Sequence, residues 1–191
     1  PNPLSCTVRL RQLTGGIFGD DNPKLERVKD MLEEITESGH KALIFSQWEQ
    51  VTSVYKEALK AYNPAYIVGA VDPEDRQKEV DRFQNDPTCK VAIGTIGAMG
   101  TGLTMTAASY VFFVDKRYWD AENKQAEDRA HRIGTTNTVN VVSLVATNTV
   151  DEGIEEMLRD NKALFDRVVE GKGSRVDAVS YTHLRAHETA A

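Results

Sequence analysis

Two arginines with helical spacing lie in the segment QAEDRAHRIG, which ends at Gly134. Arg129 and Arg132 are three residues apart and Gln125 precedes Arg129 by four, so on a helix over residues 120–132 their side chains fall on neighbouring faces. Arginine stays charged at any working pH and presents a planar fork of donors that matches a phosphate group. The segment therefore predicts a phosphate-binding group. The alternative is an exposed helix with surface Glu–Arg pairs.

A second candidate segment, GTIGAMGTGLTMTAA, occupies residues 94–108 and follows an apolar run. Glycine lets the backbone approach a ligand closely, and free N–H groups at the start of a following helix can hold an anion. Threonine hydroxyls can bind phosphate oxygens without adding charge. The alternative is a glycine-rich turn that only links a strand to a helix. Because the chain has no G-x-x-x-x-G-K-[ST] sequence, the segment is not the phosphate loop of a self-sufficient nucleotidase.

The elements that position these segments follow from hydrophobic periodicity. Helical spacing of apolar residues alternates along the chain with short apolar runs that are typical of buried strands. The predicted helices cover residues 22–39, 48–62, 72–84, 120–132 and 149–170, and the predicted strands cover residues 41–46, 65–70, 90–95, 109–115 and 139–146. This alternation predicts an α/β fold with a mainly parallel sheet and helices on both faces.

Ligands of such sheets bind beyond the carboxyl ends of the strands. Ser46, Gly69, Thr95 and Asp115 end predicted strands, so they and the loops after them are candidate positions. The Gly/Thr segment and the arginine-bearing helix are separated by one strand, and we expect both at this edge. Their order favours phosphate binding over a surface with ion pairs.

Composition limits the function classes. The chain has 191 residues and a formal net charge of −6, which argues against coating nucleic acid by bulk attraction. Salt screens charges beyond about 8 Å, so a local phosphate site remains compatible with that charge. No apolar run approaches the roughly 18 residues that span a bilayer, and no membrane partner is predicted. Two cysteines, Cys6 and Cys89, are too few for a disulfide framework and favour a reduced setting.

Four ordered segments resemble the second RecA-like lobe of the Swi/Snf-type ATPases in helicase superfamily two. They are HKALIFSQW, YIVGAVDPEDRQKEVDRFQNDP, VAIGTIGAMGTGLTMTAASYVFFVD and QAEDRAHRIG. The resemblance covers residues 5–170, and the bacterial and phage branch of the family looks most similar. It implies a three-layer RecA-like domain that forms the C-terminal lobe of an ATP-dependent double-stranded-DNA translocase.

The resemblance gives the arginine segment a catalytic role. The family's motif VI reads Q-x-x-x-R-x-x-R-x-G, which Gln125, Arg129, Arg132 and Gly134 match. In the family, the two arginines act as fingers on the γ-phosphate of ATP, and an arginine finger contributes about 10³–10⁵ in rate. The nucleotide-binding residues that the resemblance implies are Gly100, Gly102 and Asp128.

The resemblance also implies contacts with the nucleic-acid backbone. Ser46 and Gln47 match motif IV, and Thr95 matches motif V, which touches both nucleotide and nucleic acid in the family. Arg76 matches an arginine that follows a short turn, and Trp119, at the edge of the site, is a candidate to stack on bases. This chain departs from the family in detail, since the W-[NT]-P element before motif VI appears here as Tyr118-Trp119-Asp120, without the proline.

The family's phosphate-loop lysine and magnesium-binding carboxylates belong to a first lobe and do not occur in this sequence. ATP and Mg²⁺ are therefore expected to be held mainly by that lobe, and this chain alone is expected to be an inactive part of a DNA-dependent ATPase. The expected partners are double-stranded DNA and the first lobe of the same polypeptide.

The expected organisation has three parts. Residues 1–21 are interpreted as a connector from the first lobe, residues 22–171 as the C-terminal RecA-like lobe, and residues 172–191 as a disordered or non-native tail. The expected location is the cytoplasm of a bacterial or phage-infected cell, or the nucleus if the source is eukaryotic. Two alternatives remain open at this point: a non-catalytic RecA-like module that binds a partner or nucleic acid, and a lobe of an RNA helicase.

Overall fold

The computed structural model describes residues 2–18, 22–99, 102–130 and 138–169, with side chains described as far as residue 164. Helices and strands alternate along these ranges. The helices are α1 (Pro3–Thr14), α2 (Pro23–Glu37), α3 (Glu49–Ala58), α4 (Pro73–Asn85), α5 (Ile96–Met99), α6 (Asp120–Glu127) and α7 (Val150–Val169), and a 3₁₀ turn covers Lys60–Tyr62. The strands are β1 (Lys41–Ser46), β2 (Ala65–Ile67), β3 (Val91–Thr95), β4 (Ala108–Phe113) and β5 (Asn140–Ser143).

The five strands form one parallel sheet in the order β2-β3-β1-β4-β5. Helices α2 and α3 pack on one face through a core that includes Leu32 and Tyr55, and α4, α5 and α6 pack on the other through a core that includes Phe83 and Met99. The predicted α/β fold with a mainly parallel sheet and helices on both faces is confirmed.

Helix α2 shows how local sequence sets an element. The Asn22 side chain caps its start by accepting a hydrogen bond from the Leu25 N–H at 3.1 Å, as the sequence predicts. The helix ends where Gly39 takes a positive φ of 79° and the His40 N–H bonds to the Ile35 carbonyl at 3.0 Å. This glycine-based cap ends the helix at Glu37, and Gly39 itself lies two residues before β1 begins.

Gly94 occupies a position in β3 that has no room for a side chain. A Cβ atom there would overlap the Ile67 carbonyl oxygen of β2 and would lie 2.5 Å from the Met99 sulfur. The first glycine of the Gly/Thr segment is therefore required by packing between neighbouring strands and the short helix α5.

The predicted helix over residues 120–132 is longer than the observed one. Helix α6 ends at Glu127, and the next residues form a turn in which Arg129 and Ala130 bond to carbonyls three residues back. The Arg129 carbonyl accepts instead from the Met105 N–H at 2.9 Å. This tertiary hydrogen bond competes with helix continuation, so Arg129 lies on a turn and not on a regular helical face with Gln125.

Two predicted strands are also shorter in the structure. Strand β2 stops at Ile67 because Val68–Val71 closes a turn, with the Val71 N–H bonded to the Val68 carbonyl at 3.2 Å. Strand β5 covers Asn140–Ser143, half of the predicted run. Both lie at the sheet edges, where each strand has one neighbour and less pairing to extend it.

The first helix packs against the last one. Helix α1 contacts α7, and the Thr14 hydroxyl of α1 donates to Asp151 of α7 at 2.8 Å. The predicted division into three parts stays a prediction, and residues 170–191, which include the whole predicted tail, lie outside the described residues. In the parts of the chain that the structure describes, no helix is both long and apolar enough to cross a bilayer.

Candidate nucleotide and nucleic-acid interface

The order in which strands are added to the sheet reverses at β1, and the carboxyl ends of the strands form one edge of the sheet. Strands β2 and β3 lie on one side of β1, and β4 and β5 lie on the other. In open parallel sheets the crevice at such a reversal is the usual ligand site. Ser46 ends β1, Thr95 ends β3, and Asp115 follows β4 by two residues, so the predicted candidate positions do meet at this edge.

The middle of this edge is filled by a buried polar network. The Ser46 hydroxyl donates to Asp115 Oδ2 at 2.5 Å, and the Gln47 N–H donates to Asp115 Oδ1 at 2.9 Å. The Trp48 N–H in turn donates to Ser46 Oγ at 3.0 Å, which shapes the start of α3. Every contact is within the chain, so these groups fix the β1–α3 loop to the end of β4.

Arg11 of α1 supplies positive charge to this network. Its side chain is 2% exposed, and its guanidinium donates to the Lys116 carbonyl and lies 4.4 Å from the Tyr118 ring centre. With the Gln47 amide turned so that its oxygen faces the guanidinium, Oε1 accepts from the two terminal nitrogens of Arg11 at 2.6 and 2.8 Å. Helix α1 is thereby pinned to the strand ends.

A buried ion pair between Lys24 and Asp151 extends the network to α7. Lys24 Nζ lies 2.5 Å from Asp151 Oδ2 and donates to the Val114 carbonyl at 2.6 Å. Asp151 also accepts from the Thr14 hydroxyl at 2.8 Å and from the Ala146 N–H at 3.1 Å. We call Arg11, Lys24, Ser46, Asp115 and Asp151 the anchored cluster, since together they tie α1, α2 and α7 to the sheet.

Burial dominates the electrostatics of this cluster. Desolvation raises the pKa of the Asp115 carboxyl above its ordinary value, although the hydrogen bonds from Ser46 and Gln47 and the charges of Lys24 and Arg11 act to lower the pKa. The ionised carboxylate thus has partners on several sides, yet burial still disfavours its charge.

Away from this cluster, the loops after β3 and β4 carry groups that the fold does not fully use. Thr95 is half-buried, and its hydroxyl accepts a long hydrogen bond of 3.4 Å from the Ala98 N–H at the start of α5. Arg117 Nη2 would lie 2.9 Å from a Cβ at Gly97, so the guanidinium rests over the glycine. Trp119 is 74% exposed at the start of α6.

Arg129 lies against the Gly/Thr segment. Besides the backbone bond to Met105, its Nη1 donates to the Leu103 carbonyl at 3.4 Å, and its buried Nε has no hydrogen-bond partner among the described residues. This is the meeting of the two segments that the sequence predicts. We call Thr95, Gly97, Arg117, Trp119 and Arg129 the open cluster.

The other predicted residues have varied positions. Gln125 is exposed on α6, Asp128 is its exposed C-cap, and Gly102 is exposed with a positive φ of 71°. Arg76 lies in the first turn of α4, and its buried Nε lacks a partner within the described ranges. The predicted residues Gly100, Arg132 and Gly134 lie outside the described residues.

Two predicted nucleic-acid contacts belong to the anchored cluster or its rim. Ser46 is 1% exposed and its hydroxyl is already bonded to Asp115, so the structure gives it a positioning role. Gln47 is half-buried beside Arg11. Their direct contact with a nucleic acid remains a prediction that burial does not favour.

Sequence reasoning missed three members of the anchored cluster: Arg11, Lys24 and Asp151. One signal was present, because a carboxylate such as Asp115 at the end of an apolar run needs buried partners. Nothing in the sequence says which cation supplies them, since Arg11 and Lys24 lie 104 and 91 residues earlier. Within the described residues, no group of three or more His, Cys, Asp or Glu side chains is arranged to hold a metal ion.

Comparison with known families decides the relationship. Residues 23–134 match the helicase conserved C-terminal domain. The chain belongs to this helicase C-terminal domain family. The match begins at α2 and ends at the glycine of the arginine segment, so it includes the loops of the open cluster.

Sequence relatives place this helicase domain among the Swi2/Snf2-type ATPases. Protein CHROMATIN REMODELING 19 of Arabidopsis thaliana is 35% identical over 156 residues, which cover 81% of this chain and 20% of that protein. Helicase SWR1 of Gibberella zeae is 34% identical over 152 residues, which cover 78% of this chain and 9% of that protein. The chain thus spans a fifth or less of these relatives.

Solved structures agree with the assignment. The Sulfolobus solfataricus SWI2/SNF2 ATPase core in complex with dsDNA superposes with a TM-score of 0.71 at 26% identity, covering 88% of this chain and 38% of that one. The C-terminal part of the Fun30 ATPase domain gives 0.69 at 28% identity, covering 73% and 46%. This helicase domain is therefore a RecA-like C-terminal lobe of an Snf2-family ATPase.

Proposed function

We propose that the chain is the C-terminal lobe of an ATP-dependent double-stranded-DNA translocase, in which Arg129 and Arg132 act as arginine fingers. The observation that carries this proposal is the position of Arg129. Its guanidinium is held beside the Gly/Thr segment by a weak bond to the Leu103 carbonyl, and its Nε has no partner among the described residues. A guanidinium with one unpaired donor and one weakly bonded donor, next to a Gly/Thr loop, suits a phosphate.

The described residues fit one wall of an ATP site. Arg129 offers guanidinium donors, whereas the chain has no lysine-bearing phosphate loop. We therefore propose that ATP and Mg²⁺ are held mainly by the first lobe, and that Gln125, Gly100, Gly102 and Asp128 complete the second wall. ATP, when bound, supplies the phosphoryl group that passes to water. The two guanidinium groups stabilise the negative charge that develops on that group, an effect of about 10³–10⁵ in rate.

The open cluster is also the proposed surface for DNA. Thr95 offers a hydroxyl, and Trp119 offers an exposed ring that can contact a sugar or base. A Snf2-type core of related fold has been solved in complex with dsDNA, which supports DNA as the partner. Ser46 and Gln47 are proposed to act by shaping the loop before α3, and Arg76 is proposed as a further contact on α4.

A two-lobe protein tests the proposal. The first lobe of a relative would be joined to this chain, and ATP hydrolysis measured with duplex DNA, with RNA and without nucleic acid. We expect hydrolysis that duplex DNA stimulates, and negligible hydrolysis by either lobe alone, because phosphoryl transfer needs both walls of the site. Absence of stimulation would contradict a translocase and favour a binding module, and stronger stimulation by RNA would favour an RNA helicase.

The relatives bear on lineage and location. Those named above come from a plant and a fungus, and the DNA-bound structure comes from an archaeon, so they give no support to the expected bacterial or phage branch. For a eukaryotic source we propose a nuclear location, because one relative is named for chromatin remodelling.

A further inference from the structure

Arg117 lies in the open cluster but matches no motif of the sequence analysis. Its backbone is clamped by the fully buried Asn123 of α6. The Arg117 N–H donates to Asn123 Oδ1 at 2.8 Å, and Asn123 Nδ2 donates to the Arg117 carbonyl at 2.9 Å. Two hydrogen bonds from one buried amide fix the point from which the arginine side chain projects.

The side chain projects over the Gly/Thr segment. A Cβ atom added at Gly97 would lie 2.9 Å from Nη2 of Arg117, which is closer than real Cβ contacts. Gly97 is exposed, so the guanidinium rests on the solvent side of the segment and is not buried beneath it. Glycine at this position leaves room for the arginine on top of α5.

Only one of the Arg117 donor groups is used within the described residues. Nη1 pairs with Glu122 Oε1 at 2.9 Å, and the side chains of the pair are 34% and 42% exposed. An ion pair this accessible is worth at most about 1 kcal/mol, so an incoming phosphate can displace the carboxylate at little cost. Among the described residues, Nε and Nη2 of Arg117 have no hydrogen-bond partner.

The neighbours of Arg117 suit a nucleic-acid backbone. Trp119 is two residues away and 74% exposed, and the Thr95 hydroxyl precedes Gly97 by two residues. Guanidinium, hydroxyl and exposed aromatic ring together match the phosphate, sugar and base of a strand. A phosphodiester competes with the Glu122 carboxylate for the Arg117 guanidinium. Additional contacts with Thr95 and Trp119 favour the phosphodiester in this competition.

We propose that Arg117 is an additional DNA phosphate contact, held in place by Glu122 until a phosphate replaces the carboxylate. This inference rests on the proposed function, because it takes DNA as the ligand of the open cluster. It extends that function by a residue outside the matched motifs and predicts effects of opposite sign for the two members of one ion pair.

The test measures binding of the 191-residue chain to a labelled DNA duplex by fluorescence anisotropy at several salt concentrations. Arg117→Ala is expected to weaken binding about tenfold at low salt and to reduce the slope of log K against log salt by about 1, equally for duplexes of unrelated sequence. Glu122→Gln is expected to strengthen binding about threefold, because the guanidinium no longer has a competing carboxylate.

A matched pair serves as the control. Lys60 and Glu57 form an exposed ion pair at 2.7 Å. The pair precedes β2 and so lies towards the amino ends of the strands, away from the open cluster. Lys60→Ala removes the same charge as Arg117→Ala and is expected to leave the salt slope unchanged. Thermal unfolding of all variants would show that each remains folded.

The outcomes separate the two proposals. If the unmodified chain binds duplex DNA and Arg117→Ala keeps its salt slope, the Arg117 contact is overturned and the proposed function stands. If Glu122→Gln weakens binding as Arg117→Ala does, the ion pair merely supports the loop and the contact is again overturned. If the unmodified chain does not bind duplex DNA, the proposed DNA partner fails and the Arg117 contact fails with it.

Discussion

The anchored and open clusters lie at the same edge of one sheet, but their polar groups are satisfied in opposite ways. In the anchored cluster, Asp115 and Asp151 each accept hydrogen bonds from two or more groups of the chain, and Arg11 is 2% exposed. In the open cluster, as far as the described residues show, Arg117 uses one side-chain donor group, the buried Nε of Arg129 has no partner, and Trp119 is exposed.

This difference separates structural from ligand-binding polar groups. Buried charges that satisfy one another stabilise the arrangement of α1, α2 and α7 and have no capacity left for a ligand. Groups that the fold leaves unsatisfied at a sheet edge retain that capacity. The crevice at the strand-order reversal, the usual ligand site, is filled here by the anchored cluster, and the available groups lie on the loops beside it.

The largest expected effect tests the anchored cluster. Asp115→Ala should lower the free energy of unfolding by about 3–5 kcal/mol, because the Ser46 hydroxyl and the Gln47 N–H lose their buried acceptor and Lys24 and Arg11 lose a nearby opposite charge. Urea denaturation measures this change. Glu122→Ala, which removes the ion-pair partner of Arg117 in the open cluster, is the control and should change stability by less than about 0.5 kcal/mol. Equal losses for the two variants would erase the distinction between the clusters.

A smaller effect tests the open cluster. Trp119→Ala should weaken binding to duplex DNA by about 1–3 kcal/mol, since the exposed ring is proposed to contact the strand. Its free energy of unfolding should change by less than about 0.5 kcal/mol, because the ring covers little of the core. Trp119→Phe is expected to retain most of the binding. A Trp119→Ala variant that loses stability but keeps DNA affinity would assign the ring to packing.

The Thr95 hydroxyl should show a finer effect. Thr95→Ala is expected to reduce the stimulation of hydrolysis by DNA more than the hydrolysis measured without DNA, whereas Thr95→Ser, which keeps the hydroxyl, should retain the stimulation. The net contribution of such a hydrogen bond is about 0.5–1.5 kcal/mol. The assay is ATP hydrolysis by the two-lobe protein over a range of DNA concentrations. Unchanged stimulation in Thr95→Ala would remove this residue from the DNA surface.

The pH dependence of stability is the subtlest contrast. Burial raises the pKa of Asp115 in the folded state, so its contribution to stability is complete below the ordinary carboxyl pKa and is lost as pH rises through the folded pKa. The stability of the unmodified chain minus that of Asp115→Asn should therefore fall as pH rises from the acid range. A difference that rises with pH over the same range would show that Arg11 and Lys24 outweigh burial.

Much of the fold follows from the sequence, and the reasons are local. The Asn22 cap and the apolar spacing of α2 identify that helix, and the apolar runs identify the strands. The end of α6 could not be predicted, because the Met105 N–H, which lies 24 residues earlier, captures the Arg129 carbonyl. Long-range hydrogen bonds of this kind leave no periodic signal.

The candidate site divides in the same way. The order of the Gly/Thr and arginine segments predicts that they meet, and the contact of Arg129 with Leu103 shows the meeting. The anchored cluster was largely missed because its partners come from α1, α2 and α7, far apart in sequence. Arg117 was missed because only the folded chain shows its position over Gly97.

The most direct test of the central claim is Arg129→Ala in the two-lobe protein, with ATP hydrolysis and ATP binding measured separately. Arg27→Ala, on an exposed position of α2, is the charge-matched control. We predict that Arg129→Ala lowers the hydrolysis rate by about 10³ or more while the Kd for ATP stays within about threefold, because a finger acts on transition-state charge. Retained hydrolysis, or an equal loss of hydrolysis and binding, would contradict the account.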